Sequence, residues 1–363
     1  MSLTSEQILH ALACVQDPDL HRDIVALGFV KRLQIDGGRV SFAIELTTPA
    51  CPVREQLKTQ AEEAVRTVPG VTSVDVTMTS QVRSSVAMSS APAAAHVANL
   101  KNIIPIASGK GGVGKSTVSA NLAVALAATG AKVGLLDADV YGPTIPTLLG
   151  VTAQPEITAE QRMIPIERYG LKVISMGFFM KPDEAVVWRG PMLHKTVQQF
   201  LSGVEWGELD YLLCDLPPGT GDVQLSLCQL IPVTGAVIVS TPQDVALNVA
   251  QKAIAMFKKL NVPILGVIEN MSAFVCSHCG TREEIFGSGG ARQTAERTRL
   301  PFLGDIPLET ALRKASDAGT PIVLSDPSSP VAQAFTRVAQ QLAAQASIRA
   351  MQGAGSGQPV VTF

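Results

Sequence analysis

Aromatic side chains are scarce. Phenylalanine, tryptophan and tyrosine make up 4% of 363 residues, whereas hydrophobic residues make up 46%. The core must therefore be aliphatic, as in a parallel sheet wrapped by helices. Charge is thin as well, at 17% of residues with a formal net charge of −2. That balance offers no basic surface, so neither nucleic acid nor an anionic membrane is expected as a partner. Cysteine occurs six times, as Cys14, Cys51, Cys214, Cys228, Cys276 and Cys279. Only the last two are closely spaced, which excludes a disulfide framework. No stretch approaches the roughly 20 apolar residues of a membrane helix. The opening MSLTSEQILHALACVQDPDL lacks the basic start and apolar run of a signal peptide. A soluble protein in a reducing cytoplasm is expected.

What is present divides into blocks. Residues 1–83 read as a small α+β domain. Ile8, Leu9, Leu12 and Val15 share one helical face. A strand is expected near Val25–Ile35, a turn at Asp36-Gly37-Gly38, and a second strand where Val40, Phe42, Ile44 and Leu46 alternate. Pro52 opens a helix that Pro69-Gly70 stops, and Val71–Met78 is a last strand. Residues 84–99 are rich in Ser, Ala and Pro and read as a flexible linker. Residues 100–347 alternate apolar strands with helical stretches, the pattern of an α/β fold whose mainly parallel sheet is covered on both faces. Its strand candidates are Ile103–Ala107, Val133–Leu136, Tyr211–Cys214, Ala236–Val239, Ile264–Ile268 and Phe302–Leu303. Residues 348–363 read as a disordered tail.

The sharpest motif is Gly109-Lys110-Gly111-Gly112-Val113-Gly114-Lys115-Ser116-Thr117, a P-loop between the strand Ile103–Ala107 and a helix carrying Leu122, Ala123 and Leu126. Its glycines let the backbone curl so that N–H groups point at phosphate oxygens. The helix N-terminus adds positive potential. Lys115 is expected to contact the β- and γ-phosphates of ATP, and Ser116 to hold Mg²⁺.

Lys110, just after the first glycine, is not needed by an ordinary P-loop. It resembles the deviant Walker A ATPases, the group of MinD, ParA, the arsenite-pump ATPase and the nitrogenase iron protein. That resemblance implies that Lys110 reaches across a homodimer to the partner's nucleotide. It also implies that Asp139, in Leu135-Leu136-Asp137-Ala138-Asp139, orients the attacking water, with Asp137 structural or near Mg²⁺. Asp210-Tyr211-Leu212-Leu213-Cys214-Asp215 is an apolar run ending in a carboxylate. Asp215 is expected to hold Mg²⁺ through water. Pro217–Asp222 then resembles switch II, whose glycines permit movement when the γ-phosphate is lost. Asn270, in Glu269-Asn270-Met271-Ser272, has an amide whose donor and acceptor fit adenine. The resembling families read the base with such an Asn; capping or turning the chain is the other reading.

Cys276-Ser277-His278-Cys279 follows closely. Two thiolates on a tight turn can share a metal or cluster, but two are too few to close a tetrahedral site. A dimer would bring together four, which suits a [4Fe–4S] cluster or Zn²⁺. A redox dithiol stays open beside these.

Residues 100–343 resemble the Mrp (ApbC) family of iron–sulfur cluster carrier ATPases. Gly109–Thr117, Asp137–Pro143, Trp188–Pro191, Leu216–Asp222, Ser240–Leu247, Glu269–Ser272 and Cys276–Cys279 carry the likeness. It implies a [4Fe–4S] cluster held by Cys276 and Cys279 of two subunits and passed to apoproteins, with slow ATP hydrolysis as the regulator. A zinc-bridged dimeric ATPase that clamps a client is the competing reading. The first domain resembles the iron–sulfur assembly module often fused in front of such ATPases, through Thr47-Thr48-Pro49-Ala50-Cys51-Pro52. A helix dipole at Cys51 would favour its thiolate; a buried small hydrophobe is the rival reading. Cys14, Cys214 and Cys228 are assigned to packing.

Overall fold

The computed structural model describes residues 3–85, 99–180, 190–219, 221–230, 232–276 and 278–355. The chain divides into two compact units, Met1–Arg83 and Ser84–Phe363. Most of the linker, residues 86–98, lies outside the described residues, as do Trp188, Arg189 and Thr220.

In the first unit, α1 (Ser5–Leu12) starts with a capping box: Thr4 accepts from the Gln7 N–H, and the Gln7 side chain accepts from the Thr4 N–H. β1 (Gln16–Asp17) and β2 (Arg22–Asp23) form a short ribbon. β3 (Val30–Asp36) and β4 (Arg39–Leu46) pair antiparallel, and β5 (Ser73–Ser80) adds parallel to β4 after α2 (Arg54–Arg66) crosses over. The strand expected from Val25 starts only at Val30. Residues before it turn instead: Leu27 and Gly28 donate to Asp23 and Val25 carbonyls. Ile8 and Leu12 of α1 and Leu57, Ala61 and Val65 of α2 are buried, which gives each helix one apolar stripe.

The second unit contains β6 (Ile103–Ser108), α3 (Lys115–Ala128), β7 (Val133–Asp137), α4 (Ile145–Leu148), β8 (Ile166–Arg168), β9 (Leu171–Ser175), α5 (Gly190–Ser202) and β10 (Tyr211–Asp215). There follow α6 (Asp222–Leu230), β11 (Ala236–Ser240), α7 (Asp244–Lys259), β12 (Ile264–Val275), β13 (Arg282–Glu283), α8 (Gly290–Thr298), β14 (Phe302–Leu308), α9 (Thr310–Asp317), α10 (Ile322–Ser325) and α11 (Pro330–Gly355). One sheet runs β14-β12-β11-β6-β10-β7-β9, all parallel, with β8 antiparallel on β9 and β13 antiparallel on the far end of β12. Every residue of β6, β7, β10 and β11 is buried, which explains their continuous apolar runs. α3 packs on α11 and against β6, β7 and β10. Leu212 and Cys214 instead share a core cluster with Phe200 of α5, Leu227 of α6 and Phe257 of α7. The two residue sets of β10 thus face opposite layers.

Three sequence expectations change here. The strand expected to end at Ile268 continues to Val275, because Phe274 and Val275 pair with Glu283 and Arg282 in a hairpin. The strands β8 and β9 were absent from the candidates. The tail expected from residue 348 is helical to Gly355, because Ala346 and Ala350 continue the buried stripe of α11.

Candidate functional site

β6, β7 and β10 end side by side, and the P-loop leaves from β6. Asp215 sits at the carboxyl end of β10 in register with Asp137 of β7, where ligands bind open α/β sheets. The loop turns into α3 at Gly114, which has a left-handed φ of 78°. A Cβ on Gly109 would lie 2.4 Å from the Val249 carbonyl carbon of α7, so only glycine fits there. Ser108, the loop, Asp139, Thr144, Leu148 and Pro218 line a cavity of about 230 Å³. A larger one of about 560 Å³ opens beside Lys132, Arg168 and Tyr169 at the opposite ends of the strands, away from this chemistry.

Lys115, Ser116 and Asp215 converge. Lys115 Nζ lies 2.8 Å from Asp215 Oδ1, and both side chains are buried. Ser116 Oγ donates to Asp215 Oδ2 at 2.6 Å, and Ser119 Oγ donates to Oδ1 at 2.6 Å. Ser116 and Asp215 present the hard oxygens that Mg²⁺ takes, so the donor set fits that ion. Lys110 is half-buried on the cavity wall and makes no ion pair among the described residues.

The loop after β7 is tied down by carboxylates. Asp137 accepts from the Asp139 and Ile145 N–H groups and from Ser175 Oγ, at 3.1, 3.2 and 2.8 Å. Complete burial pushes its pKa up to about 7, and the Asp215 charge adds to this. Asp139 accepts from the N–H groups of Tyr141 and Gly142, both at 3.3 Å. Burial raises its pKa above the ordinary value.

Asn270 does not line the cavity. Its side chain is buried beneath the loop, and Nδ2 donates to the Val113 carbonyl at 2.8 Å. The Asn270 amide thus braces the P-loop from β12 in this structure.

Cys276 and Cys279 flank the turn of the β12–β13 hairpin. Cys276 N donates to Thr281 O at 3.0 Å and Gly280 N to Cys276 O at 2.8 Å. Cys276 is half-buried and Cys279 exposed. Thr281 Oγ1 lies 3.1 Å from Cys279 Sγ. Hydrogen bonds from that hydroxyl, then from the main chain, lower the Cys279 pKa. Among the described residues, no three Cys, His, Asp or Glu side chains cluster to hold a metal. One chain therefore brings two thiols to this turn.

The other cysteines occupy different settings. Cys51 precedes α2 by three residues, and burial pushes its thiol up to about 11, with Asp17 and Asp19 adding to the rise. The helix dipole does not win there. Cys14 is exposed, past the end of α1, with Sγ 3.1 Å from Ala11 O. Cys214 and Cys228 pack in the core as expected. Sequence reasoning missed Ser119, Ser175 and Gln224, which bind Asp215, Asp137 and the Pro217–Gly219 turn. Ser119 is one helical turn beyond Lys115, the only signal it offered.

Residues 99–343 match the family model of the NUBPL iron-transfer P-loop NTPases, and residues 5–76 match an iron–sulfur cluster assembly protein domain. The chain is 49% identical over 359 residues to an iron–sulfur cluster carrier protein of Deinococcus radiodurans, covering 98% of this chain and 100% of that one. It is 48% identical over 292 residues to the iron–sulfur cluster carrier protein of Escherichia coli, covering 80% and 78%. A nucleotide-binding protein from Archaeoglobus fulgidus, solved with ADP, superposes with a TM-score of 0.57 at 41% identity, covering 64% of this chain and 92% of that one. The cell-division ATPase MinD of Pyrococcus furiosus superposes with a TM-score of 0.50 at 26% identity, covering 66% and 97%. The chain therefore belongs to the NUBPL-type iron-transfer P-loop NTPases, the family of the iron–sulfur cluster carrier proteins.

Proposed function

We propose that this protein is an ATP-dependent iron–sulfur cluster carrier. Its cargo is a [4Fe–4S] cluster shared by Cys276 and Cys279 of two subunits and delivered to apoproteins in the cytoplasm. The observation that carries the reading is the pair of thiols on one tight hairpin turn, with no third ligand clustered in the described chain. Cluster ligation by cysteine takes four thiolates, and a two-fold axis through the turn supplies them.

The nucleotide site supports a regulating hydrolysis. N–H groups of the loop and the α3 N-terminus cradle the phosphates of ATP. Phosphate oxygens compete with Asp215 for the Lys115 ammonium, now 2.8 Å away. Asp215 released in this way still faces Ser116. Ser116, and Asp215 through water, would hold Mg²⁺, which would supply charge neutralisation at the phosphates. Asp139, raised in pKa by burial, is a stronger base than an exposed carboxylate and orients the water. Lys110 reaches the partner's nucleotide.

Anaerobic purification with iron, sulfide and zinc analysis tests the proposal. Four iron and four sulfide per dimer are expected. Cys276→Ser is expected to abolish the cluster and leave ATP affinity within about twofold, since thiol and P-loop contacts are independent. A full cluster in that variant sinks the ligand assignment. Zinc without sulfide replaces the carrier reading with the zinc-bridged ATPase.

A further inference from the structure

One wall of the phosphate cavity is the segment that leaves β7, through Asp139, Thr144 and Leu148. β7 pairs in parallel with β10, whose Asp215 accepts from Ser116. The segment therefore stands at the Ser116–Asp215 end of the cavity, where a P-loop holds the β- and γ-phosphates. Burial raises the Asp139 pKa, and the charges of Lys115 and Asp215 also reach its carboxyl, in keeping with that placement. The segment is fixed at both ends. Asp137, fully buried, accepts the Asp139 N–H at one end and the Ile145 N–H at the other. Ser175 lies directly across from Asp137 in the β7–β9 register and donates to it at 2.8 Å. The same hydroxyl oxygen accepts the Gly177 N–H at 3.0 Å. A Cβ on Gly177 would lie 3.0 Å from Pro146 and 3.2 Å from Pro143, so the end of β9 backs the segment closely.

Other polar side chains on the cavity wall are already engaged. Ser108 Oγ donates to the Lys110 carbonyl, Ser116 Oγ donates to Asp215, and Asp139 accepts from the Tyr141 and Gly142 N–H groups. Thr144 differs. Its hydroxyl does not cap α4, and among the described residues its side chain makes no hydrogen bond. It is exposed and lines the cavity. Its neighbour Ile145 is pinned by the buried Asp137 carboxylate, which sets the Thr144 backbone. A β-branched side chain has few χ1 rotamers, so a fixed backbone leaves the hydroxyl few directions. A hydroxyl donor fits a phosphate oxygen.

We propose that Thr144 is a further nucleotide-binding residue, whose hydroxyl donates to an oxygen of the terminal phosphate of ATP. ADP lacks that phosphate, so the contact favours the triphosphate. The main-chain N–H groups of the P-loop serve both nucleotides, whereas Thr144 serves one. Asp137 and Ser175 set its place without touching the nucleotide. This rests on the ATP-dependent reading of the site and not on the identity of the cargo.

The test is equilibrium binding of ADP and of the non-hydrolysable analogue AMP-PNP to the full chain with Mg²⁺. Thr144→Val keeps the branched shape but removes the hydroxyl. It is expected to weaken AMP-PNP binding by about tenfold or more, the worth of a hydrogen bond to a charged group, and to leave ADP binding within about twofold. Thr144→Ser keeps the hydroxyl and is expected to bind AMP-PNP within about threefold of the wild type. Equal weakening of both nucleotides overturns the proposal, because it marks a displaced segment and not a lost contact. So does unchanged AMP-PNP binding by Thr144→Val, or a Thr144→Ser variant as weak as Thr144→Val. A wild-type chain that binds neither nucleotide sinks the ATP-dependent reading and the proposal together. A wild-type chain that binds both, with no selective loss in Thr144→Val, sinks the proposal alone. No readout here involves a cluster, so failure of the carrier reading is a separate result.

Discussion

At the scale of the residue, the site is decided by how few charges it buries. Lys115 and Asp215 are 5% and 0% exposed and face each other at 2.8 Å. Removing one partner leaves an uncompensated buried charge, which costs about 3 kcal/mol or more. Lys115→Met is therefore expected to lower the unfolding free energy by about that amount and to abolish ATP hydrolysis. Urea unfolding and a phosphate-release assay read the two effects; unchanged stability would mean that Ser116 and Ser119 alone satisfy Asp215. Asp137 is the second buried carboxylate, with its pKa raised from 3.8 to about 7. The folded chain thus holds a proton there that the unfolded chain releases. The stability this contributes is full below about pH 4 and is lost as pH rises towards 7. Asp137→Asn is expected to remove that part of the slope. Unfolding curves of both chains from pH 4 to pH 7 check it, and parallel curves contradict it.

At the scale of the element, the P-loop works because β6, α3, α7 and β12 meet with no room to spare. Gly109 abuts the α7 backbone at Val249, and a Cβ on Gly114 would reach within 2.3 Å of Asn270 Nδ2. The first contact is with main chain, which cannot rotate away. Gly109→Ala is expected to destabilise the fold by about 1–3 kcal/mol through overpacking and to weaken ATP binding. Thermal unfolding and nucleotide titration measure this, and wild-type values in both would show that α7 yields freely. The β12–β13 hairpin is the other decisive element. Its cross-strand pairs at Phe274 and Val275 hold Cys276 at the start of the turn, so the two thiols are set by strand pairing rather than by a loose loop.

At the scale of the molecule, the parallel sheet brings all the nucleotide chemistry to one edge, and among the described residues no helix is long and apolar enough to cross a membrane. Lys110 lines the cavity without an ion pair among the described residues. If it acts on the partner's nucleotide, Lys110→Ala is expected to keep ATP affinity within about threefold while lowering hydrolysis at least about a hundredfold, the usual share of a charge that stabilises the transferring phosphoryl group. Equilibrium binding and turnover on the same preparation decide; hydrolysis near the wild-type rate removes the role across the dimer.

Local pattern was enough for much of this. The P-loop, the apolar strands ending at Asp137 and Asp215, and the Cys276–Cys279 spacing are contiguous, and each is read from neighbours in the chain. The α/β class followed from their alternation. What only the tertiary structure decided depends on partners far apart in sequence. Asn270 lies 157 residues from Val113, and Ser119 lies 96 from Asp215, so no local signal announces that they meet. β9, Leu171–Ser175, was missed; its place in the sheet comes from pairing with β7, more than thirty residues earlier in the chain. Position before a helix left Cys51 open between a dipole-favoured thiolate and a buried small hydrophobe; burial, a property of the packed unit, outweighs the dipole there. Spacing along a chain encodes local geometry; desolvation and long-range pairing exist only once the chain has closed on itself.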